Sequence, residues 1–187
     1  MQIEQYIERY FEETAKITES VDREEIKKAV LLLSALKKNG GRLFILGVGG
    51  SAANASHAVN DFRKIGGIET YAPTDNAAEL TARTNDEGWN TVFYKYLETS
   101  KLRQNDAIMI FSVGGGSQNA SLNLKEACDY AKKCGAKILG IVSRDGGYTK
   151  QKADVCILIP VFSQDTITPH AEGWQGIIWH LIVNALP

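Results

Sequence analysis

The segment from residue 42 to residue 61 constrains the fold of this chain more than any other stretch. It reads RLFILGVGGSAANASHAVND, in which a short apolar run, Leu43 to Leu46, is broken by the glycine-rich turn Gly47-Val48-Gly49-Gly50-Ser51. The alanine-rich sequence from Ala52 onward favours a helix. A strand, a glycine turn and a helix in this order place backbone N–H groups and a helix N-terminus against an anion, usually a phosphate.

Histidine and carboxylate side chains recur at helical spacing in two parts of the chain. His57 and Asp61 are four residues apart, so they share one face of the helix that follows the glycine turn. In the predicted C-terminal helix, Glu172 and His180 lie within roughly 80° of each other around the axis, two turns apart. These two imidazoles and two carboxylates form a donor set that suits a divalent metal such as Zn²⁺. Without a metal, the same groups offer a general base and a general acid.

A second glycine turn follows another apolar run, residues 107–111, which is typical of a buried strand. The turn is Ser112-Val113-Gly114-Gly115-Gly116-Ser117, and a helix is predicted from about residue 118 to residue 133. Because both turns leave the carboxyl ends of parallel strands, they converge on one crevice. The hydroxyl groups available there to one phosphomonoester belong to Ser51, Ser112 and Ser117. Alternatively, the glycines only form tight turns and the serines only cap helices, but two such turns beside an imidazole and a carboxylate favour phosphate binding.

The first glycine turn also satisfies the loose GxGxx(G/A) pattern of dinucleotide-binding folds. That reading requires an acidic residue at the end of the second strand, about 20 residues later. Glu69 is near this distance, but it begins the predicted strand at residues 68–72 rather than ending it. The pattern is therefore weak support for a nicotinamide site, and we expect no nucleotide cofactor.

The order of apolar runs and helices predicts an α/β fold with three layers. A roughly five-stranded parallel sheet is covered by helices on both faces, in a flavodoxin-like or Rossmann-like manner, and a helix pair precedes it. The remaining predicted strands span residues 137–142 and 155–159. Other helices are predicted from Thr74 or Asp75 to Ala82, over 89–97 and over 169–186, with a polar turn at 85–88. We expect a single domain over residues 1–187, with the α/β core at 41–187.

The two helices predicted before the first strand are not needed to build such a sheet. Residues 3–17 place a stripe of mostly apolar and aromatic side chains at helical spacing, namely Ile3, Tyr6, Ile7, Tyr10, Phe11, Thr14 and Ile17. The second helix begins at a capping box formed by Asp22 and Glu25 and ends at Asn39-Gly40. The pair either covers one sheet face or packs, through its aromatic stripe, against a second copy of the chain. We expect residues 1–40 to serve in oligomerisation.

Composition and charge exclude several classes of partner. The chain has 44% hydrophobic residues and a net charge of −1, from 21 basic and 22 acidic residues. Nothing in this balance suggests a nucleic-acid or membrane surface. Cys128, Cys134 and Cys156 lack CxxC spacing and indicate reduced thiols. Because there is also no signal-peptide core and no apolar run of the ~20 residues that a membrane span requires, we expect a cytoplasmic protein.

Together these motifs resemble those of the sugar isomerase (SIS) domain, and within it the phosphoheptose isomerases. Those enzymes convert D-sedoheptulose 7-phosphate to D-glycero-D-manno-heptose 7-phosphate. The family's GNGGS turn corresponds to residues 47–51, its STSGNS phosphate loop to residues 112–117, and its Asn-Asp pair to Asn85-Asp86. A TP dipeptide opens the last helix in both, here Thr168-Pro169, and the DGG turn is Asp145-Gly146-Gly147. The resemblance runs nearly end to end.

The resemblance also implies roles for the acidic and histidine residues. The family's metal-ligating histidine corresponds to His57, and the glutamate that serves as base and ligand corresponds to Asp61. Its glutamine ligand corresponds to Glu172 and its catalytic histidine to His180. Asp61 and His180 are thus expected to be catalytic, and all four residues to hold one divalent metal per subunit, with Zn²⁺ the expected ion. Substrate contacts are implied for Gly49, Gly50, Ser51, Asn85, Asp86, Ser112, Ser117 and Glu172.

By resemblance, the reaction is aldose–ketose isomerisation of a sugar phosphate through a cis-enediol, in a homotetramer whose sites are shared between subunits. Some positions depart from the family pattern. Val48 replaces an asparagine, and Val113 and Gly114 replace two hydroxyl residues, which leaves an isomerase or lyase for another sugar phosphate as an alternative. A non-catalytic SIS protein, such as the bacterial factor that binds the replication initiator, is a second alternative. The retained histidines and acids argue against it, because a pure binder does not require them.

Overall fold

A computed structural model describes residues 2–187 as a parallel β-sheet covered by helices on both faces. The strands are β1 (Leu43–Leu46), β2 (Thr70–Tyr71), β3 (Ala107–Ser112), β4 (Lys137–Ser143) and β5 (Val155–Ile159). They lie in the order β2-β1-β3-β4-β5, and every neighbouring pair is parallel. The predicted α/β fold with a five-stranded parallel sheet is confirmed.

The helices occur where the sequence changes from strand to helical periodicity. They are α1 (Ile3–Ser20), α2 (Arg23–Lys38), α3 (Gly50–Lys64), α4 (Ala77–Glu87), α5 (Val92–Thr99), α6 (Leu122–Cys134), α7 (Gly147–Lys152) and α8 (Ile167–Asn184). Short 3-10 helices cover Pro73–Asp75, Trp89–Thr91 and Gln164–Thr166. Across residues 2–187, no helix combines the length and the apolar character that crossing a membrane requires.

Two apolar clusters lie on opposite faces of the sheet, because successive strand residues point to opposite sides. Leu43 and Ile45 pack with residues from α1, α2, α3 and α8. Phe44 and Leu46 pack with residues from α5 and α6 on the other face. The burial of all four β1 residues explains why this strand reads as a continuous apolar run. The sheet is therefore the middle of three layers, and α3 and α8 share one outer layer.

The predicted polar turn at residues 85–88 is wrong, because helix α4 continues through Asn85 and Asp86 to Glu87. The helix also starts later than predicted, at Ala77, where the side chain of Asn76 accepts a hydrogen bond from the backbone of Glu79. Arg83 forms ion pairs four residues in each direction, with Glu79 at 2.8 Å and with Glu87 at 3.3 Å. Ion pairs at this spacing support a helix and carry it through the polar residues between them.

Other elements also differ from the sequence predictions; for example, β2 is shorter than the predicted strand at residues 68–72. The helix after the second glycine turn begins at Leu122 rather than near residue 118, because the Ser117 hydroxyl oxygen accepts N–H bonds from Asn119 and Ala120 and holds a local turn. Helix α8 begins at Ile167, two residues before the predicted start. Helix α7 was not predicted; at six residues, it is too short for periodicity to reveal.

Both predicted N-terminal helices are present in the structure. Asp22 Oδ1 accepts hydrogen bonds from the backbone N–H groups of Glu24 and Glu25 at 2.9 and 3.1 Å, so the Asp22 half of the predicted capping box is present. The Glu25 carboxylate instead accepts from the backbone N–H of Cys156 at 3.1 Å.

In α1, Ile17 at the C-terminal end of the predicted stripe is buried, and Tyr10 is half-buried and stacks on His170 with 4.2 Å between the ring centroids. Ile3 and Phe11 are 74% and 69% exposed. The larger part of the stripe therefore has no partner within residues 2–187.

Candidate active site

His57, Asp61 and His180 meet where α3 packs against α8. The Nε2 atoms of His57 and His180 lie 3.9 and 3.7 Å from Asp61 Oδ2, and the ligand atoms of all three residues lie within 4.8 Å of one another. Asp61 is buried, whereas the side chains of His57 and His180 are 59% and 46% exposed. The chain thus brings two imidazoles and one carboxylate to a single open position.

The surrounding groups orient these three side chains. His180 Nδ1 lies 2.7 Å from the carbonyl oxygen of Gly176. Because a carbonyl only accepts, Nδ1 carries the hydrogen, and in the neutral ring Nε2 presents its lone pair toward Asp61. Asn60 donates from its side-chain amide to Asp61 Oδ1 at 2.8 Å. The ring of Trp179 lies 3.5 Å from that of His180 and 4.7 Å from that of His57, so one buried indole contacts both imidazoles.

This donor set fits a divalent cation such as Zn²⁺, which binds histidine nitrogen and carboxylate oxygen. A ligating histidine commonly donates its other N–H to a carbonyl oxygen, and His180 makes this bond to Gly176. Glu172 does not belong to the group of His57, Asp61 and His180. Its carboxylate lies against Gly50, the first residue of α3, so close that a β-carbon at Gly50 would overlap it. A helix N-terminus favours a negative charge at this position.

A second feature is a cavity of about 420 Å³ between the two glycine turns. Its wall includes Ser51, Ser112 and Ser117, the three hydroxyl residues predicted to meet a phosphate. Val48, Val113 and Gly114, which replace polar residues of the family pattern, also line it. The two turns therefore converge on one crevice, as the parallel-strand argument requires.

The hydroxyl oxygens of these serines accept hydrogen bonds from the protein. Ser112 Oγ accepts from the backbone of Gly115 at 3.0 Å, and Ser51 Oγ accepts from the side chain of Gln175 at 3.1 Å. Ser117 Oγ accepts from the backbone of Ala120 at 3.0 Å, and its contact with the Ala120 carbonyl is long, at 3.5 Å. Since a hydroxyl has one donor and two acceptor sites, the O–H groups remain available to an anion in the cavity.

Other predicted site residues lie elsewhere. Gly49 and Gly50 are not among the residues on the cavity wall. Asn85 and Asp86 are exposed at the end of α4, where they hydrogen-bond to each other at 2.7 Å, and they belong neither to this cavity nor to the histidine group. Their predicted contacts with a sugar stay predictions.

Sequence reasoning missed two polar residues at these sites, Arg144 and Gln175. Arg144 lines the cavity from the turn after β4. Gln175 is fully buried and links Asn54, at 3.0 Å, to Ser51. The sequence could have indicated Gln175, because it lies three residues, about one helical turn, after Glu172. In the structure it is on the face of α8 that carries the buried residues. Arg144 carried no comparable signal, since its place on the wall depends on how two loops meet.

Comparisons with known proteins identify the family of this chain. Residues 6–143 match the SIS domain family. A phosphoheptose isomerase from Syntrophotalea carbinolica is 30% identical over 190 residues, which cover 96% of this chain and 91% of that protein. The lincomycin biosynthesis protein LmbN from Streptomyces lincolnensis is 34% identical over 154 residues, covering 78% of this chain and 56% of that protein.

The fold is shared with a solved structure of the same group. The phosphoheptose isomerase GmhA from Neisseria gonorrhoeae superimposes with a TM-score of 0.87 over 100% of both chains, at 23% identity. At this identity the likeness concerns the fold, whereas the sequence matches concern the family. Because the family match covers well over half of the chain and the 30% identical relative is matched over nearly its whole length, this chain belongs to the SIS-domain phosphoheptose isomerases, a family of sugar-phosphate isomerases.

Proposed function

We propose that the protein isomerises D-sedoheptulose 7-phosphate to D-glycero-D-manno-heptose 7-phosphate through an enediol intermediate. The observation that carries this proposal is the position of the Asp61 carboxylate, 3.9 and 3.7 Å from the imidazoles of His57 and His180. The serine-lined cavity supports the phosphate end of the assignment. Ser51 on the cavity wall and His57 are six residues apart on α3, about 9 Å along the helix axis. This distance leaves room for a sugar chain between the phosphate and the reacting carbons.

In this proposal, the side chains of Asp61 and His180 move the protons. The Asp61 carboxylate removes the proton from the carbon next to the carbonyl group, while the His180 ring, protonated on both nitrogens, gives its Nε2 proton to the carbonyl oxygen and so forms the enediol. His180 Nε2 then takes the proton of the other hydroxyl group, and Asp61 returns its proton to the former carbonyl carbon. The hydrogen bond from His180 Nδ1 to Gly176 holds the ring so that Nε2 faces the reacting centre. Negative charge develops on the carbonyl oxygen and requires stabilisation by a nearby positive or donating group.

We assign His57, Asp61, Glu172 and His180 as the residues that would hold one divalent metal per subunit, expected to be Zn²⁺. When bound, such an ion supplies Lewis-acid stabilisation to an oxygen that gains charge. His57 and His180 have partly exposed rings, so they are accessible to an ion from solvent. In this structure the carboxylate of Glu172 lies against Gly50, at the start of α3.

We further propose that Ser51, Ser112 and Ser117 bind the phosphate through their O–H groups. Gly49 and Gly50 do not line this cavity, so their predicted contacts with the substrate depend on the family resemblance alone. Asn85 and Asp86 would contact sugar hydroxyl groups. Because α4 has no buried residue and these two side chains do not line the cavity, we assign them to the site of a neighbouring subunit.

A homotetramer with sites at subunit interfaces completes the proposal. The exposed apolar side chains of α1, including Ile3, Ile7 and Phe11, offer a surface that a second copy would cover. His57 and His180 are open to solvent in the single chain, as expected for a site that a neighbouring subunit closes. A monomer by light scattering at assay concentration would contradict this part.

A different sugar phosphate is the second candidate substrate. Val48 and Val113 place apolar side chains on the cavity wall where the family pattern has polar residues. The similarity to LmbN, named for lincomycin biosynthesis, shows that the relatives of this chain include a protein not named as a phosphoheptose isomerase. Apolar side chains at these two positions would reject a substrate that needs hydrogen bonds there.

A panel of ketose phosphates, assayed with metal analysis of the purified protein, tests both candidates. We expect turnover of sedoheptulose 7-phosphate, about one equivalent of metal per chain, and loss of turnover in Asp61→Ala. Turnover of only another sugar phosphate would select the second candidate. No turnover of any member by a folded, metal-loaded protein would reject the isomerase assignment and favour the non-catalytic alternative.

A further inference from the structure

The cavity between the glycine turns has a wall of mostly neutral residues. Among the residues that the structure describes on this wall, only Arg144 and Asp145 carry charged side chains. Asp145 Oδ1 accepts the backbone N–H of Gly147 at 3.0 Å, so this carboxylate is occupied in its own turn. Arg42 and Arg83 pair with carboxylates at 2.6 and 2.8 Å, whereas Arg144 has no ion pair within residues 2–187.

The backbone at Arg144 has a conformation that residues other than glycine rarely adopt. Its φ angle is +55°, in the left-handed region, where a β-carbon crowds the following carbonyl oxygen. The turn is held on both sides, because the Ser143 hydroxyl donates to the Ile159 carbonyl at 2.9 Å and Gly146 N–H donates to the Ser143 carbonyl at 3.0 Å. A strained backbone kept in place by its surroundings is often found at functional sites.

A phosphate monoester brings up to two negative charges to this cavity, while the loop at residues 112–117 offers fewer donors than the family pattern. Val113 and Gly114 line the wall without a hydroxyl group. A guanidinium supplies a permanent positive charge and paired N–H donors that match two phosphate oxygens. Arg144 lies on the same wall and has no competing carboxylate partner.

We propose that Arg144 binds the phosphate group of the substrate, in place of the hydroxyl donors that are absent at Val113 and Gly114. The inference rests on the proposed sugar-phosphate specificity of this cavity. Arg144 is then a substrate-binding residue remote from the proton-transfer groups, so it affects affinity for the phosphate end rather than the chemical step.

The test compares Arg144→Gln with the matched variant Lys150→Gln, which removes the same charge from an exposed residue of α7 that lines a different cavity. The measurements are KM and kcat for the sugar phosphate and the inhibition constant of inorganic phosphate. For Arg144→Gln we expect both KM and the inhibition constant to rise roughly 10- to 100-fold, with kcat within about twofold. Lys150→Gln should leave all three values near those of the parent, and Arg144→Lys should recover part of the loss.

A second variant, Arg144→Gly, separates loss of the charge from loss of stability. Glycine adopts the left-handed backbone conformation without strain and also removes the charge. This variant should weaken phosphate binding as much as Arg144→Gln and unfold at or above the parent's temperature. If a parent that isomerises sugar phosphates keeps its KM and phosphate inhibition in both charge-removing variants, the assignment of Arg144 is wrong and the proposed function stands. If the parent neither isomerises a sugar phosphate nor binds inorganic phosphate, the proposed function fails and this inference with it.

Discussion

His180 connects two groups across its ring: Nε2 lies 3.7 Å from Asp61 Oδ2, and Nδ1 lies 2.7 Å from the carbonyl oxygen of Gly176. The second contact fixes the hydrogen on Nδ1 and thereby the face that the ring offers to Asp61. Gly176 lies on the same helix as His180, one turn earlier, so this orientation is set by α8 itself. The first contact depends on α3 packing against α8.

Substitution of Asp61 or His180, the two residues proposed to transfer protons, should abolish most of the activity. For Asp61→Ala and His180→Ala we expect kcat to fall about 10²- to 10⁴-fold, because each removes a general acid or base. Asn60→Ala is the matched control, since it removes only the amide bond to Asp61 Oδ1 and should cost far less. Steady-state kinetics on sugar phosphates measure the effect. An Asp61→Ala variant with the parent's kcat would refute the assignment of the base.

Metal content should depend on two of the three histidines. His57→Ala and His180→Ala should lower bound metal at equilibrium, measured by elemental analysis and by the visible spectrum of the cobalt-substituted protein, because each removes a donor from the group. His170→Gln is the control, because His170 is buried against Glu13 at 3.0 Å, outside that group. Equal metal loss in the His170 variant would mean that the ion binds elsewhere or that the losses reflect unfolding.

A methyl group at Gly50 should displace Glu172 and disturb the site with little loss of stability. The added β-carbon overlaps the carboxylate of Glu172, which lies at the end of a flexible side chain and can rotate away. We expect kcat/KM to fall about tenfold for Gly50→Ala, as for a lost supporting residue of a metal site. Gly173→Ala, on the helix that carries Glu172, meets no atom within 4 Å and should retain full activity.

The same experiment can identify Glu172 as the residue responsible. In a Glu172→Ala background, Gly50→Ala should cause no further loss of activity, because the displaced carboxylate is already absent. Additive losses in the double variant would show instead that the methyl group acts on the glycine turn itself.

The ion pair between Arg42 and Asp106 should stabilise the protein in a pH-dependent manner. Burial raises the pKa of Asp106, but hydrogen bonds from the Arg42 guanidinium and from the backbone N–H groups of Arg42 and Arg103 outweigh this effect and hold the pKa below its usual value. Asp106 is nearly fully buried. Asp106→Asn should therefore lower the free energy of unfolding by about 1.5–3 kcal/mol at pH 7.

The lowered pKa of Asp106 determines how its stabilising effect changes with pH. A carboxylate whose pKa is lowered by folding stabilises the protein above its unfolded-state pKa of about 3.9, and this stabilisation is lost as pH falls through the folded-state pKa. Urea denaturation at pH 7, 5, 4 and 3 should show the difference between parent and Asp106→Asn shrinking toward the lowest pH. A difference that stays constant from pH 7 to pH 3 would mean that ionisation of Asp106 contributes nothing.

A buried carboxylate should hold α1 against the start of α8. Glu13 Oε2 accepts from Thr166 Oγ1 at 2.5 Å and lies 3.0 Å from His170 Nε2, so it joins the N-terminal helix to the segment that leads into the site. Glu13→Gln should lower the free energy of unfolding by about 1–3 kcal/mol, because a buried charged acceptor is replaced. Glu12→Gln, exposed on the same helix, is the control and should change stability by less than about 0.5 kcal/mol. Equal effects of the two substitutions would contradict the role of Glu13.

Much of the fold could be read from local patterns, because strands β1, β3, β4 and β5 are apolar runs and glycine-containing turns follow β1, β3 and β4. The errors occur where a helix boundary is set by individual polar side chains rather than by the apolar pattern. Ion pairs of Arg83 carry α4 through the predicted turn, and the Ser117 hydroxyl delays the start of α6. Such contacts depend on individual rotamers, which hydrophobic periodicity does not encode.

The sequence by itself determined the α/β architecture, the two glycine turns after β1 and β3, and the pairing of His57 with Asp61 on one helix face, because these follow from periodicity and from spacing within one helix. Only the tertiary structure decided which carboxylate His180 faces. It is Asp61 on α3, and not Glu172, which lies on α8 together with His180. The tertiary structure also decided that Glu172 lies against Gly50 and that Arg144 lines the cavity between the glycine turns. The reason is that each of these contacts joins segments far apart in the chain, whose approach is set by how the helices and loops pack on the sheet.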